Sequence, residues 1–199
     1  MIRSAEGWWA DADAEVGDQG VLQMKSQRPN AGHRVTPDEL IAALAHPDPV
    51  ERAEVFERYG KRKPTIEAIP ILRQALSDDY HATVKLAAHA LGKLGPTARV
   101  AMDDLLAAAG RIDPVSEMPQ AYPECVEAMA VIEPSHPELL PLIKRFVGLD
   151  NWVPISTSLR ALKTIGTPEA TELLQRTAAF WAPELSKTQR RVVDQLLES

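Results

Sequence analysis

The chain repeats itself. The stretches Ala53–Gly60 (AEVFERYG), Ala88–Gly95 (AHALGKLG), Val126–Glu133 (VEAMAVIE) and Leu159–Gly166 (LRALKTIG) share one pattern. Tyr59, Leu94, Ile132 and Ile165 fall in one column. Phe56, Leu91, Met129 and Leu162 form a second column, and Val55, Ala90, Ala128 and Ala161 a third. Two large apolar residues three apart, with a small one beside them, draw a single helical face that a neighbouring helix can approach closely. A second set follows downstream: Ala68–Leu72, Ala101–Leu105, Leu139–Ile143 and Ala170–Leu174. Members of the first set are 35, 38 and 33 residues apart, and members of the second 33, 38 and 31. A period of this length made of two helices is the mark of a helical solenoid. No single hairpin can bury its apolar face, so several must stack into one continuous core.

The local signals place the helices. Thr36 is an N-cap with Pro37 behind it and Glu39 completing a capping box, so a helix starts there and ends before the HPDP stop at 46–49. First helices are expected near 50–59, 82–94, 122–132 and 154–165. Second helices are expected near 64–77, 97–109, 137–148 and 168–180, and a last helix near 184–198 caps the array with Leu185, Val192, Val193 and Leu196 inward. In LGKLGPTA, residues 91–98, Gly95 gives the backbone freedom for a helix end and Pro96 opens the next helix, where its missing N–H costs little. Gly60 and Gly166 are read as its counterparts. Gly92 lies inside the last turn, where close packing of another helix is the expected reason for it. Residues 1–35 show no sustained period and read as an extended or disordered arm ahead of a solenoid domain over 36–199.

Composition agrees with this and narrows the role. Aromatics are only 5% of a chain that is 45% hydrophobic, which favours helices over sheets. The formal net charge of −6 disfavours general binding to phosphate backbones. The lone Cys125 sits in an apolar helical pattern and reads as a small buried hydrophobe. One cysteine cannot form an internal disulfide, the N-terminal stretch lacks a signal-peptide core, and no apolar run is long enough for a bilayer. A cytoplasmic protein without membrane insertion is therefore expected.

The segment 77–110 (SDDYHATVKLAAHALGKLGPTARVAMDDLLAAAG) resembles a HEAT repeat of the bacterial PBS-lyase-like type. Asp78 and Asp79 match that family's acidic turn, Val84 and Lys85 its Val-Arg pair, and Pro70 and Pro141 its second-helix proline. The likeness runs over 37–199 and is stronger over 49–110 than over 111–199. Only Lys85 keeps a basic residue at the Val-Arg position, and the linker 111–124 is longer than the family's usual turn. The resemblance implies an all-α, right-handed solenoid of about four HEAT-like hairpins with flanking helices. These motifs specify the fold and hardly the function, since HEAT arrays serve many roles. Second helices of such arrays usually line the concave face, where Arg73, Asp103, Lys144, Arg145 and Arg176 are the outward candidates for partner contact.

The residues offer little chemistry beside this. None of the five histidines is followed by glutamate, the pairing that di-iron HEAT hydroxylases use, and no nucleophile elbow, phosphate loop or dinucleotide fingerprint occurs. No metal, cofactor or catalytic residue is assigned. Arg58, Lys61, Arg62 and Lys63 form a basic cluster, read first as a solvated turn with cations near a helix C-terminus and second as a contact for nucleic acid or an acidic partner. Trp8 and Trp9 stand together in the arm, either folded back on the solenoid or anchoring a partner; Trp152 and Trp181 mark helix ends. The expected role is a non-catalytic protein-interaction or scaffold module. A bilin-lyase-like enzyme or chaperone, implied by resemblance alone, and a nucleic-acid-binding solenoid are the alternatives.

Overall fold

The structure, a computed structural model, describes residues 34–111, 121–148 and 151–198. Among them every regular element is helical. The α-helices are α1 (Pro37–Leu44), α2 (Pro49–Gly60), α3 (Ile69–Ala75), α4 (His81–Leu94), α5 (Met102–Arg111), α6 (Ala121–Ile132), α7 (Leu139–Phe146), α8 (Trp152–Ile165), α9 (Pro168–Trp181) and α10 (Lys187–Glu198). The pairs α2–α3, α4–α5, α6–α7 and α8–α9 are the four hairpins, α1 precedes them and α10 follows.

The starts are chemically fixed. The Thr36 hydroxyl accepts from the Glu39 N–H while the Glu39 carboxylate accepts from the Thr36 N–H at 2.8 Å, the full capping box. Asp48, Asn151 and Thr167 cap α2, α8 and α9 by accepting from Val50, Val153 and Ala170 N–H groups. Ser186 and Gln189 form a further reciprocal pair ahead of α10.

The second helices α3, α5 and α7 are shorter than their apolar patterns suggest, while α9 has its expected length. Thr65 leads into a single 3-10 turn, Ile66–Ala68, and α3 proper begins at Ile69. Pro70 is the cause: with no N–H, it fits only the first turn of the ladder. Likewise Pro96 opens a seven-residue 3-10 segment, Gly95–Ala101, before α5, and Pro141 sits in the first turn of α7. Gly60 departs from its expected role: α2 runs through it and leaves by Lys61 in ordinary helical geometry. Among the described glycines only Gly95 (φ 60°) and Gly166 (φ 63°) take positive φ.

The three sequence columns make the core. Phe56, Leu91, Met129 and Leu162 are fully buried, and Ala90, Ala128 and Ala161 are buried beside them. The first helices pack directly on one another in the series α2, α4, α6, α8, α10. Gly92 explains the closest of these contacts. A Cβ placed there would stand 3.2 Å from the Ala128 Cα and 3.3 Å from its Cβ, so α4 and α6 meet backbone to backbone.

Gly166 lies in the left-handed helical region (ψ 6°), whereas Gly95 (ψ −144°) lies in one that side chains hardly enter. No atom crowds a Cβ at Gly95. Denaturant titration should therefore show Gly95→Ala losing about 1–3 kcal/mol from the backbone alone, and Gly166→Ala about 1 kcal/mol. Asparagine should be tolerated at 166 and not at 95; equal tolerance at both would refute this.

Candidate interaction surface

Two layers of side chains are available on the solenoid, and ion pairs between neighbouring repeats occupy much of both. Arg52 on α2 is buried, and its guanidinium donates to Asp78 at 2.9 Å, to Asp79 at 2.6 Å and to the His46 carbonyl at 3.0 Å. Burial pushes the Asp78 carboxyl up, but the Arg52 hydrogen bond and charge and the Tyr80 N–H outweigh it and hold the group below the usual aspartate range. The pattern continues with Lys85–Glu124 at 3.4 Å, Arg160–Glu127 at 3.4 Å and Arg99 on the mostly buried Glu133. An acid–base ladder thus links the repeats, carried largely by residues outside the Val-Arg register.

Side chains also reach back one repeat to satisfy carbonyls at helix ends, which have no partner within their own helix. Lys93 Nζ donates to the Gly60 carbonyl at 2.6 Å, the Arg111 guanidinium to the Leu76 carbonyl, and the Trp181 indole to the Val147 carbonyl at 3.1 Å. The sequence offsets, 33, 35 and 34 residues, are the repeat length itself.

Of the residues expected to face a partner, Arg73, Asp103, Lys144, Arg145 and Arg176 lie on second helices and Trp152 on a first helix. Arg73 is paired with Asp104 and Lys144 with Glu169 at 2.7 Å, so each bridges adjacent second helices. Asp103 is exposed on α5. Arg145 is exposed with its guanidinium 5.7 Å from the Phe146 ring, a cation–π contact, and Arg176 is exposed 3.9 Å from Glu172. Trp152 is half-buried against the core at the start of α8. In the basic cluster Lys61, Arg62 and Lys63 are exposed, Arg58 is half-buried, and Lys61 pairs with Glu57 at 2.9 Å. Trp8 and Trp9 lie outside the described residues.

The pattern gave no warning of two features. Phe180, one turn after Arg176 on α9, is 71% exposed and meets the Trp181 ring edge-on at 5.3 Å. On the first-helix side a cleft of about 230 Å³ runs between α4 and α6, walled by His89, Lys93, Glu124, Glu127 and Val131 with Gly92 and Ala128 as its floor. Burial raises the Glu124 carboxyl against the pull of Lys85, and its Oε2 has no hydrogen-bond partner among the described residues. Burial, seconded by Lys93, lowers the His89 imidazole against the pull of Glu127. Cys125, fully buried, has its thiol pushed up to about 12 by burial and by Glu124, which leaves it without nucleophilic character. Among the described residues no group of three or more His, Cys, Asp or Glu is placed to hold a metal ion. None of the described helices is long and apolar enough to cross a membrane.

Residues 37–117, from α1 through the second hairpin, match the family model of HEAT repeats. Over this stretch the chain carries HEAT repeats. No curated protein matches it. The two further hairpins continue the same stacking beyond the matched residues. HEAT repeats generally mediate contacts between proteins.

His89 supplies a direct check on the cleft. Because its folded-state value lies below the ordinary 6.5, its neutral form is favoured on folding. The associated stability is present above 6.5 and is lost as pH falls through the folded value. An NMR titration of the native protein should place the His89 midpoint below 6.5, and in urea the midpoint should return there. A native midpoint at or above 6.5 would contradict the geometry.

Proposed function

We propose that this chain is a non-catalytic protein-interaction module, a scaffold subunit or assembly factor, that binds a protein partner across the outward side of its second helices. Phe180 carries this reading. A fully built aromatic ring, 71% exposed on a helix whose core face is filled by Ala170, Leu174, Thr177 and Ala178, contributes nothing comparable to the fold. Aromatic and arginine side chains dominate binding hot spots, and Arg176 stands one turn away on the same side of α9. Arg145 presents a further cation over the Phe146 ring on α7. Paired groups such as Arg73–Asp104 and Lys144–Glu169 hold the second helices in line, so this surface is pre-organised and loses little freedom on binding. The arm, residues 1–35, with Trp8 and Trp9, is assigned to the same role as a second contact.

The test is affinity capture with the full-length chain from its own cells, followed by quantification of the proteins retained. Phe180→Ala should keep its Tm and weaken retention of the principal partner, by roughly thirtyfold in Kd for a hot-spot loss of about 2 kcal/mol. A wild-type chain that retains no protein, or that turns over a substrate once purified, would contradict the proposal.

A further inference from the structure

The last inter-repeat joint differs from those before it. Each second helix is closed on its far side by the next first helix: α3 by α4, α5 by α6 and α7 by α8. The helix α10 takes the place of a next first helix and packs on α8, but it makes only sparse contact with α9. A groove of about 450 Å³ is left between the two. Its α9 wall is Ala178 and Ala179 with Ala182 just past the helix end, and its α10 wall is Val193 and Leu197, the latter 44% exposed. Arg190 closes the turn end by donating to the Ala182 carbonyl at 2.9 Å.

We infer that this groove receives the apolar face of an amphipathic helix from a protein partner. The inference rests on the interaction-module reading and adds a site and a ligand chemistry to it. Three observations support a helix there. The groove continues the interface that joins every earlier pair of repeats, and in each of those the occupant of the α9-facing position is a helix. Its lining runs from Gln175 on α9 to Ala182 just past the helix end, seven steps or about 10.5 Å at 1.5 Å per residue, which is the span of apolar anchors at i, i+4 and i+7. The small side chains on the α9 wall are of the kind that lets α4 and α6 approach closely at Ala128. The rim adds polarity: Arg190 and Asp194, both exposed and one turn apart on α10, match a carboxylate and an ammonium one turn apart on the partner helix. Phe180 lies on the other side of α9, about 200° around the helix from Ala178 and Ala182, so the two surfaces can be tested separately.

The probe is a synthetic 14-residue helix with leucines at i, i+4 and i+7 and a Glu and a Lys one turn apart on its flank. It is titrated into the methyl-labelled full-length chain. Saturable shifts should concentrate on the Val193 and Leu197 methyls and on Leu185 at the groove end. Ala179→Glu, at an exposed position, should keep the wild-type Tm and weaken the probe by at least about tenfold. Ala107→Glu on the exposed side of α5 should leave binding unchanged. Shifts centred on the α4–α6 cleft, no saturable binding, or indifference to Ala179→Glu would overturn the inference. So would groove methyls already shifted by residues 1–33, judged against a chain lacking them, or a dimer that Ala179→Glu dissociates, because each names a different occupant. The interaction-module reading is judged apart from this: partner capture that survives Ala179→Glu but not Phe180→Ala removes the groove and leaves the module.

Discussion

The contact between Gly92 of α4 and Ala128 of α6 sets the spacing on which the other repeats depend. With no side chain at 92, the two first helices approach until backbone meets backbone. The alanines in register, Ala90, Ala128 and Ala161, carry that close spacing along the layer. Larger residues one step on, Leu91, Met129 and Leu162, are fully buried in the same core. A core built this way contains few aromatic rings. Each hairpin buries little apolar surface by itself, and stability comes from stacking.

Polar chemistry fixes the register of that stack. The buried Arg52 with Asp78 and Asp79 ties the first hairpin to the turn of the second. Removing one partner would leave a charge with poor solvation, so the pair constrains alignment more than it adds net energy. Lys93, Arg111 and Trp181 act differently. Each closes an open carbonyl at the end of a helix one repeat earlier, which penalises any slip by a helical turn. Apolar close approach sets the distance between repeats, and these donors set their offset.

Much of this was legible in the sequence because it depends on period. The helix pairs, the inward columns, the capping box at Thr36, the positive φ of Gly95 and the close approach at Gly92 all follow from residue type at fixed spacing. What escaped depends on side-chain reach or helix tilt. Arg52 stands outside the Val-Arg register, so no motif marks it as the ladder's buried member. Inter-repeat ion-pair partners lie anywhere from 25 to 39 residues away, as for Lys144–Glu169 and Lys85–Glu124, because long flexible side chains tolerate variable offsets. The shortened second helices reflect prolines that an apolar pattern runs through unchecked. The gap beside α10 reflects its sparse contact with α9, which no local pattern encodes, whereas Phe180 is exposed because it lies on the side of α9 away from Ala178.

Backbone contact at Gly92 holds the array together, and equilibrium urea unfolding of Gly92→Leu beside Gly110→Leu puts this to the test. A Cβ at Gly110 would meet nothing within 4 Å, so leucine there should be neutral or mildly stabilising through better helix propensity. Leucine at 92 must push α4 and α6 apart and should cost about 1–3 kcal/mol. Indistinguishable stabilities for the two variants would contradict the account.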